Sequence, residues 1–264
     1  MTNVLEVRGL AVEFDGFKAL DGVDFTVAQG ELRFLIGPNG AGKTTLIDCI
    51  TGLTRPTAGD VLFEGKSMNG LAEHRRVKLG IGRSFQAPTV FDTLTVLENL
   101  DLAETFRTPM ARLFLRRRGT SPGVGATLER VGLTAVADRP AGALSHGQKQ
   151  YLEIGMLLVQ APKLLLLDEP VAGMSPEERL DTGALLHQLA GDHTVVVIEH
   201  DMAFLRRFAH TVTVLHEGKV ISEGSVEQVQ SDPIVREVYL GRSRDERSGK
   251  VLAEATAGGR RGRG

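Results

Sequence analysis

The sequence predicts an α/β fold whose central sheet is largely parallel and buried on both faces. Three short runs rich in apolar residues support this prediction, at residues 31–36, 164–167 and 195–198. Each run has the length of a strand, and each is followed at once by a glycine or by charged residues. The first run leads through a glycine-rich loop into a helix-like segment at residues 45–50, as expected of a strand–loop–helix unit.

Composition limits the possible classes of protein. The length of 264 residues permits one large α/β domain, or such a domain with a smaller insert, and a net charge of −2 gives no general argument for nucleic-acid binding. The single cysteine, Cys49, excludes an intramolecular disulfide and lies in a predicted buried helix. The first eight residues lack a signal-peptide core, and no run approaches about 18 uninterrupted apolar residues. We therefore expect a cytosolic chain that reaches a membrane only through partners.

The loop after the first predicted strand carries a phosphate-binding motif. Residues 37–44 fit G-x-x-x-x-G-K-[ST] between a strand and a helix. Its glycines let backbone N–H groups turn toward phosphate oxygens, and the helix N-terminus adds partial positive charge. Lys43 can reach the β- and γ-phosphates, and the Thr44 hydroxyl can ligate Mg²⁺. The candidate nucleotide-binding residues here are Gly37, Pro38, Asn39, Gly40, Ala41, Gly42, Lys43, Thr44 and Thr45.

The segment before this loop predicts two antiparallel strands and a base-stacking aromatic. Residues 5–12 and 23–27 alternate in a strand-like pattern, with a turn predicted at Asp21-Gly22. Phe14 and Phe17 lie between them, and an aromatic ring just upstream of such a loop can stack on a nucleotide base. A half-buried phenylalanine at a strand end is the alternative for either residue. We favour Phe14 for stacking, with Phe17 second.

The middle of the chain predicts a strand, a polar helix and a helical insert. Residues 60–65 form a short strand, and residues 73–78 form a basic helix that is most simply solvated. The loop that follows contains Gln86, which taken alone carries no functional implication. A mainly helical insert is expected from about residue 91 to 139. The basic segment 116–123 within it can contact phosphate or anionic lipid, although a solvated loop is the favoured interpretation.

Two constellations in the second half of the chain point to phosphate chemistry. Ser145, His146, Gly147 and Gln148 precede an apolar helix at residues 151–159 and form a second possible anion site at a helix start. Asp168 and Glu169 follow four leucines at the carboxyl end of a predicted strand. Asp168 suits a Mg²⁺ ligand, and Glu169 suits the acceptor of a proton from an attacking water.

The remaining segments add one candidate residue and a tail. His200 follows the strand at 195–198, where it is either structural or a phosphate contact. A strand pair is predicted around the turn 217–219, followed by short helices at 225–230 and 233–240. Residues 242–264 lack apolar periodicity and predict a disordered basic tail, either solubilising or in contact with RNA or lipid.

Together these motifs resemble the nucleotide-binding subunit of an ATP-binding cassette (ABC) transporter, in the family order and over the chain to about Gly241. The resemblance implies that Phe14 stacks on the base and that Gln86 approaches Mg²⁺, the attacking water and a membrane partner. It identifies Glu169 as the catalytic glutamate and His200 as the switch histidine. The segment Ser145, His146, Gly147 and Gln148 resembles the family signature, which acts on nucleotide bound by a second subunit.

The resemblance also implies an organisation and a set of partners. Residues 1–241 would form the cassette, with a helical subdomain at about 91–160, and residues 242–264 a separate tail. ATP and Mg²⁺ are the expected cofactors. The expected partners are a second ATP-binding subunit in a head-to-tail dimer (a copy or, as favoured, a paralogue), two integral membrane permease subunits and, indirectly, a periplasmic or extracellular solute-binding protein. No nucleic acid is expected, and the location implied is the cytoplasmic face of the inner membrane.

A narrower resemblance concerns the transported solute. Residues 84–86, 94–100, 172–174, 199–202 and 232–241 resemble the subfamily that serves branched-chain amino acid and urea uptake. Residues 144–156 are most similar to the ATPase of urea transporters, which makes urea the favoured solute and branched-chain amino acids the alternative. A non-transport ABC ATPase and a regulatory or assembly ATPase are less favoured, because the chain has one phosphate-binding loop and no sustained heptad run.

Two positions depart from the family pattern. His146 occupies a signature position that is usually glycine, so its side chain is expected to affect γ-phosphate affinity. The segment 171–175 lacks the aspartate that is common after the family's second nucleotide-binding motif. Communication across the dimer is expected to differ as a result.

Overall fold

The computed structural model describes residues 2–85, 88–106 and 121–239. A four-stranded antiparallel sheet has the order β2-β1-β4-β5. Its strands are β1 (Asn3–Phe14), β2 (Phe17–Ala28), β4 (Ala58–Phe63) and β5 (Lys66–Ser67). The predicted strands at 5–12 and 23–27 lie within β1 and β2. The one predicted at 60–65 matches β4 as far as Phe63, and residues 64–65 form the turn to β5.

The turn between β1 and β2 differs from the prediction. It lies at Asp15-Gly16, where both residues have positive φ (48° and 85°) and where Phe14 pairs directly with Phe17. The predicted turn at Asp21-Gly22 lies inside β2, where the register shifts between Leu10 and Val12 of β1 and Gly22 has a φ of 75°. Asp21-Gly22 therefore forms a β-bulge within β2 and does not reverse the chain.

The central sheet has six strands in the order β10-β9-β3-β8-β7-β6. Strands β9, β3, β8, β7 and β6 are parallel to one another, and β10 is antiparallel to β9. The strands are β3 (Leu32–Ile36), β6 (Ile81–Arg83), β7 (Leu164–Asp168), β8 (Thr194–Ile198), β9 (Thr211–His216) and β10 (Lys219–Gly224). The three runs that predicted a buried parallel sheet are β3, β7 and β8, and the prediction is confirmed.

Alternate residues of these strands enter two different cores. Leu164, Leu166 and Val196 pack on one face, together with the antiparallel sheet and helix α1 (Lys43–Thr51). Leu165 and Val197 pack on the opposite face, which is covered by further helices. This alternation explains why the strands read as continuous apolar runs, since both faces are buried. It also leaves α1 between the two sheets.

Helix α2 (Glu73–Leu79) corrects the expectation of a wholly solvated basic helix. Arg76 is only 3% exposed, and its Nη1 donates to the carbonyl oxygens of Cys49 and Ile50 at 2.6 and 3.0 Å. Those carbonyls end α1, so Arg76 caps that helix from a neighbouring element. A Cβ at Gly52 would lie 2.7 Å from the Arg76 Nε, which explains the glycine there.

The helices on the other face of the sheet begin at conventional caps. They are α3 (Val96–Thr105), α4 (Pro122–Arg130), α5 (His146–Leu158), α6 (Pro176–Leu189) and α7 (Met202–Phe208). Thr95, Ser145 and Ser175 each form a capping box. Helix α4 begins at Pro122, where Ser121 caps it and proline occupies its first turn.

Helices α3, α4 and α5 contact one another, as expected of a helical insert. Residues 107–120, which include most of the basic segment 116–123, lie outside the described residues. The chain then closes with α8 (Val226–Ser231) and a helix at 233–239, near their predicted positions. Residues 240–264, including the predicted tail, are outside the description. Within the described ranges, no helix combines the length and apolar character needed to cross a bilayer.

Candidate functional site

The predicted site residues meet because three neighbouring parallel strands end at the same level. Ile198 of β8 is the register partner of Leu35 in β3 and of Asp168 in β7. The loop 37–44 leaves β3, Asp168-Glu169 leaves β7, and Glu199-His200 leaves β8 along one sheet edge. This is the carboxyl edge, where open α/β sheets bind their ligands.

Two glycines of the loop 37–44 are required by close packing. A Cβ at Gly37, whose φ is 155°, would lie 2.1 Å from the Leu215 carbonyl oxygen. A Cβ at Gly42, whose φ is 101°, would lie 2.6 Å from the Ala19 carbonyl oxygen. The loop therefore passes tightly between β9 and β2, and a side chain at either position would force its backbone out of place.

The rest of the loop leads into the N-terminus of α1. The Gly218 N–H donates to the Ala41 carbonyl at 3.0 Å, which ties the loop to the β9–β10 turn. Lys43 and Thr44 begin the helix, followed by Thr45. The Lys43 Nζ donates to the carbonyls of Gly37 and Pro38 at 2.6 and 3.0 Å, so the cation lies over the concave face of the loop. This arrangement can bind a phosphate chain through loop amides, a helix N-terminus and one ammonium group.

Asp168 is a buried carboxylate at the end of β7. It is 5% exposed, and its N–H donates to the hydroxyl of Ser84 at 3.2 Å. Burial raises the pKa of Asp168, while the guanidinium of Arg83 and the ammonium of Lys43 act in the opposite direction. Asp48 and Glu169 add like charge nearby, so a cation placed here would relieve the repulsion.

The donor set at this point fits Mg²⁺. Thr44 and Asp168 offer a hydroxyl and a carboxylate oxygen, which are hard ligands suited to that ion. No cluster of three or more histidine, cysteine or acidic side chains within the described ranges could hold a metal. That agrees with the way Mg²⁺ is commonly held, by one or two protein oxygens together with substrate phosphates and water.

Sequence reasoning missed Arg83 and Asp48 in this region. Arg83 Nη1 forms an ion pair with Asp48 on α1, and its side chain is almost fully buried. Asp48 lies four residues after Thr44 and therefore on the same face of α1, a spacing that could have identified it. Arg83 had no such signal, because its partners come from other elements.

Glu169 and His200 come together at the sheet edge. Glu169 has a φ of 50°, in the left-handed region that a residue with a Cβ adopts only when its surroundings impose it. Its N–H donates to the Ile198 carbonyl at 3.0 Å. Its Oε1 lies 3.3 Å from His200 Nδ1, and both side chains retain solvent access. A partly accessible carboxylate beside an imidazole is suited to accept a proton from water.

Glu199 holds the backbone next to Glu169 and His200 through hydrogen bonds. Sequence reasoning did not identify this residue. It is 1% exposed, and its carboxylate accepts hydrogen bonds from the N–H groups of His200 and Val171 at 3.2 and 3.3 Å. Burial raises the pKa of Glu199, and the backbone hydrogen bonds act against that rise. Its position directly after a buried strand was visible in the sequence, yet nothing there distinguished a support from a reacting group.

Ser145, His146, Gly147 and Gln148 form the N-terminus of α5, as predicted. The Ser145 hydroxyl accepts from the Gln148 N–H at 3.2 Å, and the Gln148 side chain accepts from the Ser145 N–H at 3.1 Å. These two hydrogen bonds join Ser145 and Gln148 to each other, and the Ser145 hydroxyl keeps its proton to donate.

Phe14 and Phe17 lie together at the tip of the β1–β2 hairpin. They are directly paired, so their side chains project from the same face, and they are 50% and 66% exposed. Phe14 ends β1 and Phe17 begins β2, and both offer an aromatic surface to solvent, so base stacking by Phe14 stays a prediction. Gln86 lies outside the described residues.

A groove of about 610 Å³ opens between α2, β6, α3 and α5. Its exposed apolar lining includes Phe85, Phe91, Leu102 and Phe106. Beside it, Glu153 of α5 is 5% exposed and accepts a hydrogen bond from the Thr89 N–H at 3.1 Å. Burial raises the pKa of Glu153 to about 7.

The chain matches known proteins along most of its length. A family model described as "ABC transporter" matches residues 20–172, and a model described as "Branched-chain amino acid ATP-binding cassette transporter" matches residues 219–245. The chain is 37% identical over 251 residues to the high-affinity branched-chain amino acid transport ATP-binding protein BraF of Pseudomonas aeruginosa. That match covers 90% of this chain and 98% of BraF.

Solved structures of ATP-binding cassettes are also similar to this chain over most of its length. The ADP conformation of MJ1267, an ATP-binding cassette of an ABC transporter, is similar with a TM-score of 0.81 and 35% identity, covering 91% of this chain and all of that one. The dimeric, post-hydrolysis structure of the cassette MJ0796 with ADP and Pi is similar with a TM-score of 0.70 and 26% identity, covering 84% of this chain and 98% of that one.

Proposed function

The chain belongs to the ABC transporter family as an ATP-binding subunit of the branched-chain amino acid type, and we propose that it energises the import of branched-chain amino acids. It is an ATPase, as the family requires. The observation that carries the assignment is the meeting of the loop 37–44, Asp168-Glu169 and Glu199-His200 at the ends of three adjacent strands.

The chemistry is an in-line attack of water on the γ-phosphate of ATP. Positioning and charge stabilisation supply most of the rate enhancement in such reactions. The amides of the loop 37–44 and the Lys43 ammonium hold the phosphates. Glu169 accepts the proton of the attacking water, and His200, 3.3 Å from that carboxylate, orients it and contacts the γ-phosphate.

A magnesium site completes this proposal. Thr44 and Asp168 would hold Mg²⁺, with Gln86 as a further ligand. When bound, the ion offsets negative charge on the phosphate oxygens. The burial of Asp168 and the like charges of Asp48 and Glu169 beside it support this assignment.

The second half of each nucleotide site comes from another ATP-binding subunit. The N-terminus of α5 carries Ser145, His146, Gly147 and Gln148, which resemble the family signature, and we infer that they act on nucleotide bound by the second subunit of a head-to-tail dimer. The dimeric structure of the related cassette MJ0796 supports pairing with a second ATP-binding subunit. The partner is a paralogous subunit or a second copy of this chain.

One of the two permease subunits docks on this chain, in the groove between α2, β6, α3 and α5. The exposed side chains of Phe85, Phe91, Leu102 and Phe106 form an apolar surface of the kind that marks a protein interface. We place the cassette (residues 1–241, with the helical subdomain at about 91–160) at the cytoplasmic face of the membrane. The solute-binding protein acts from the other side, and residues 242–264 form a separate tail.

There are two candidate solutes, branched-chain amino acids and urea. The sequence favours urea because of residues 144–156, whereas BraF and the family model matching residues 219–245 carry branched-chain amino acid names. We therefore take branched-chain amino acids as the solute class and urea as the second candidate.

Reconstitution decides between these solutes. The chain, its permeases and its solute-binding protein are assembled in lipid vesicles, and ATP hydrolysis is measured with leucine or with urea. We expect leucine to stimulate hydrolysis and urea to have no effect. Stimulation by urea alone would replace our assignment with the second candidate, and stimulation by neither would overturn both.

A further inference from the structure

The imidazole of His146 lies against the loop that follows β7 in the same chain. Its Nε2 is 3.2 Å from the carbonyl oxygen of Ala172. Because a carbonyl oxygen only accepts hydrogen bonds, this contact requires a proton on Nε2. A Cβ at Gly173, whose φ is 71°, would lie 3.5 Å from His146 Cδ2, so the ring also packs against that glycine.

Ala172 connects this ring to the reacting end of β7. The Ala172 N–H donates to the Glu169 carbonyl at 3.1 Å, and the neighbouring Val171 N–H donates to Glu199 Oε1 at 3.3 Å. The peptide unit before Ala172 is thus held by the Glu169 carbonyl, and the peptide unit after Ala172 is held by His146. Since Glu169 has a φ of 50°, its backbone depends on such external support.

The helix that presents His146 is itself well anchored. A Cβ at Gly147 would lie 2.4 Å from Glu178 Oε1, so α5 and α6 approach closely at their N-termini. The Tyr151 hydroxyl donates to the Glu178 carbonyl at 3.0 Å. Glu178 also closes the capping box of α6 with Ser175, which ends the same loop. His146 therefore contacts the loop from a rigid base.

We propose that His146 is a positioning residue within its own chain, and that its Nε2–H braces the loop 170–175 and, through Ala172, the backbone of Glu169. This role rests on the proposed function of Glu169 as the proton acceptor. It differs from the contact with a partner's nucleotide that the position of His146 in the signature segment implies.

The two roles make different demands on the side chain. A brace needs an N–H at the position of Nε2, which both the neutral tautomer and the imidazolium provide. A contact with a partner's γ-phosphate would gain strength from the positive charge of the imidazolium and would contribute to nucleotide binding. Loss of the brace should therefore lower kcat, whereas loss of a phosphate contact should raise the KM for ATP.

Two substitutions separate these demands. His146→Gln can place an amide N–H near the position of Nε2, whereas His146→Leu keeps bulk and removes the donor. His210→Leu is the matched control, because His210 is exposed, has no assigned role and contacts the ring of His187. Each full-length variant is examined by hydrogen–deuterium exchange of the backbone amides of residues 171–174 and by steady-state ATP hydrolysis.

We expect His146→Leu to speed exchange of the Ala172 amide about fivefold and to lower kcat about tenfold, with KM for ATP changed less than about twofold. His146→Gln should recover part of both losses, and His210→Leu should match the wild type. Unchanged exchange at Ala172 in His146→Leu, or a loss expressed only in KM, would overturn the proposal. Absence of ATP hydrolysis by the wild-type chain assembled with its partner subunits would instead refute the proposed function, while the exchange data would still decide the contact.

Discussion

Glu153 is a carboxyl group in the interior of α5, close to the groove but outside the proposed reaction. Its exposed fraction is 5%, and burial raises the pKa of Glu153 to about 7 from a usual value of 4.5. The hydrogen bonds from Thr89 and Phe85 favour the ionised form but do not offset the loss of solvation. The folded state therefore binds a proton at pH values where the unfolded chain has released it.

This titration predicts a pH-dependent stability difference for Glu153→Gln. Because the folded pKa is raised, the contribution of Glu153 to stability is fully present below about pH 4.5 and is lost as the pH rises to about 7. A neutral glutamine does not titrate, so the free energy of unfolding of the variant relative to the wild type should increase by on the order of 3 kcal/mol between pH 4.5 and 8. Urea denaturation at several pH values measures it.

The exposed residue Glu129 on α4 provides the matched control for that experiment. Glu129→Gln is measured in the same way, so that the effect of removing an exposed carboxylate can be compared with that of removing the buried one. A constant difference between Glu153→Gln and the wild type across this pH range would show that the carboxyl at 153 is already ionised in the folded protein.

Phe14 is predicted to contribute to ATP affinity by stacking on the adenine ring. Stacking of a base on an aromatic side chain is worth about 1–3 kcal/mol, so Phe14→Ala should raise the Kd for ATP at least about fivefold. Equilibrium titration with a fluorescent ATP analogue measures this change. Phe17→Ala serves as the comparison, because the two rings are paired at the hairpin tip. An unchanged Kd for Phe14→Ala, with a raised Kd for Phe17→Ala, would transfer the role to Phe17.

At the scale of elements, α1 depends on a side chain from α2. Arg76 satisfies two carbonyls at the end of α1 and also donates to the Leu71 carbonyl at 3.0 Å. Arg76→Ala would leave these carbonyls unsatisfied and create a cavity, so we expect a loss of about 3 kcal/mol in the free energy of unfolding. Urea denaturation measures it. The exposed neighbour Arg75→Ala is the control, and an equal, small effect of both substitutions would contradict the capping role.

Elements with a strong local pattern could be predicted from the sequence. Strands β3, β7 and β8 are short runs of buried residues. The loop 37–44 contains a glycine motif, and two of its glycines are required by close contacts with Ala19 and Leu215. Each of these patterns can be recognised within one short segment of the sequence. The strand–loop–helix unit around residues 37–44 and the acidic residues at the end of β7 therefore lie where the sequence predicts them.

Features set by packing between distant segments could not be predicted. Two Asp-Gly pairs in the first 22 residues are equally good turn sequences, and the pairing of β1 with β2 and β4 selects the first. The burial of Arg76 depends on the end of α1, and the supports Arg83 and Glu199 depend on the contacts between β6, β7 and β8. The sequence of a short polar segment does not identify the distant residues that it will contact in the folded protein.

At the scale of the whole molecule, α5 joins the two proposed interfaces. Its N-terminus carries the signature segment, and Met156, Leu157 and Gln160 near its C-terminus line the groove. In the proposed assembly, a permease docked in the groove would contact the same helix that carries the signature segment. That helix would then connect the permease mechanically to the nucleotide sites.

The groove can be tested with a single charge. Leu102 is 43% exposed within it, and Leu102→Glu places a carboxylate on an apolar interface, so we expect at least a tenfold loss of co-purified permease. Ile234→Glu is the control, since Ile234 is 56% exposed and outside the groove lining. Affinity purification of the tagged subunit from membranes measures both. Equal recovery of permease with the two variants would move the docking site elsewhere.

The assembled molecule is interpreted as an ATPase whose proton acceptor is Glu169. Glu169→Gln keeps the size of the side chain and removes its ability to accept a proton. The decisive measurement is phosphate release by this variant at saturating ATP, accompanied by its Kd for ATP. We predict a Kd near that of the wild type and a turnover reduced at least about a hundredfold. Turnover close to that of the wild type would contradict the assignment of Glu169 and the mechanism built on it.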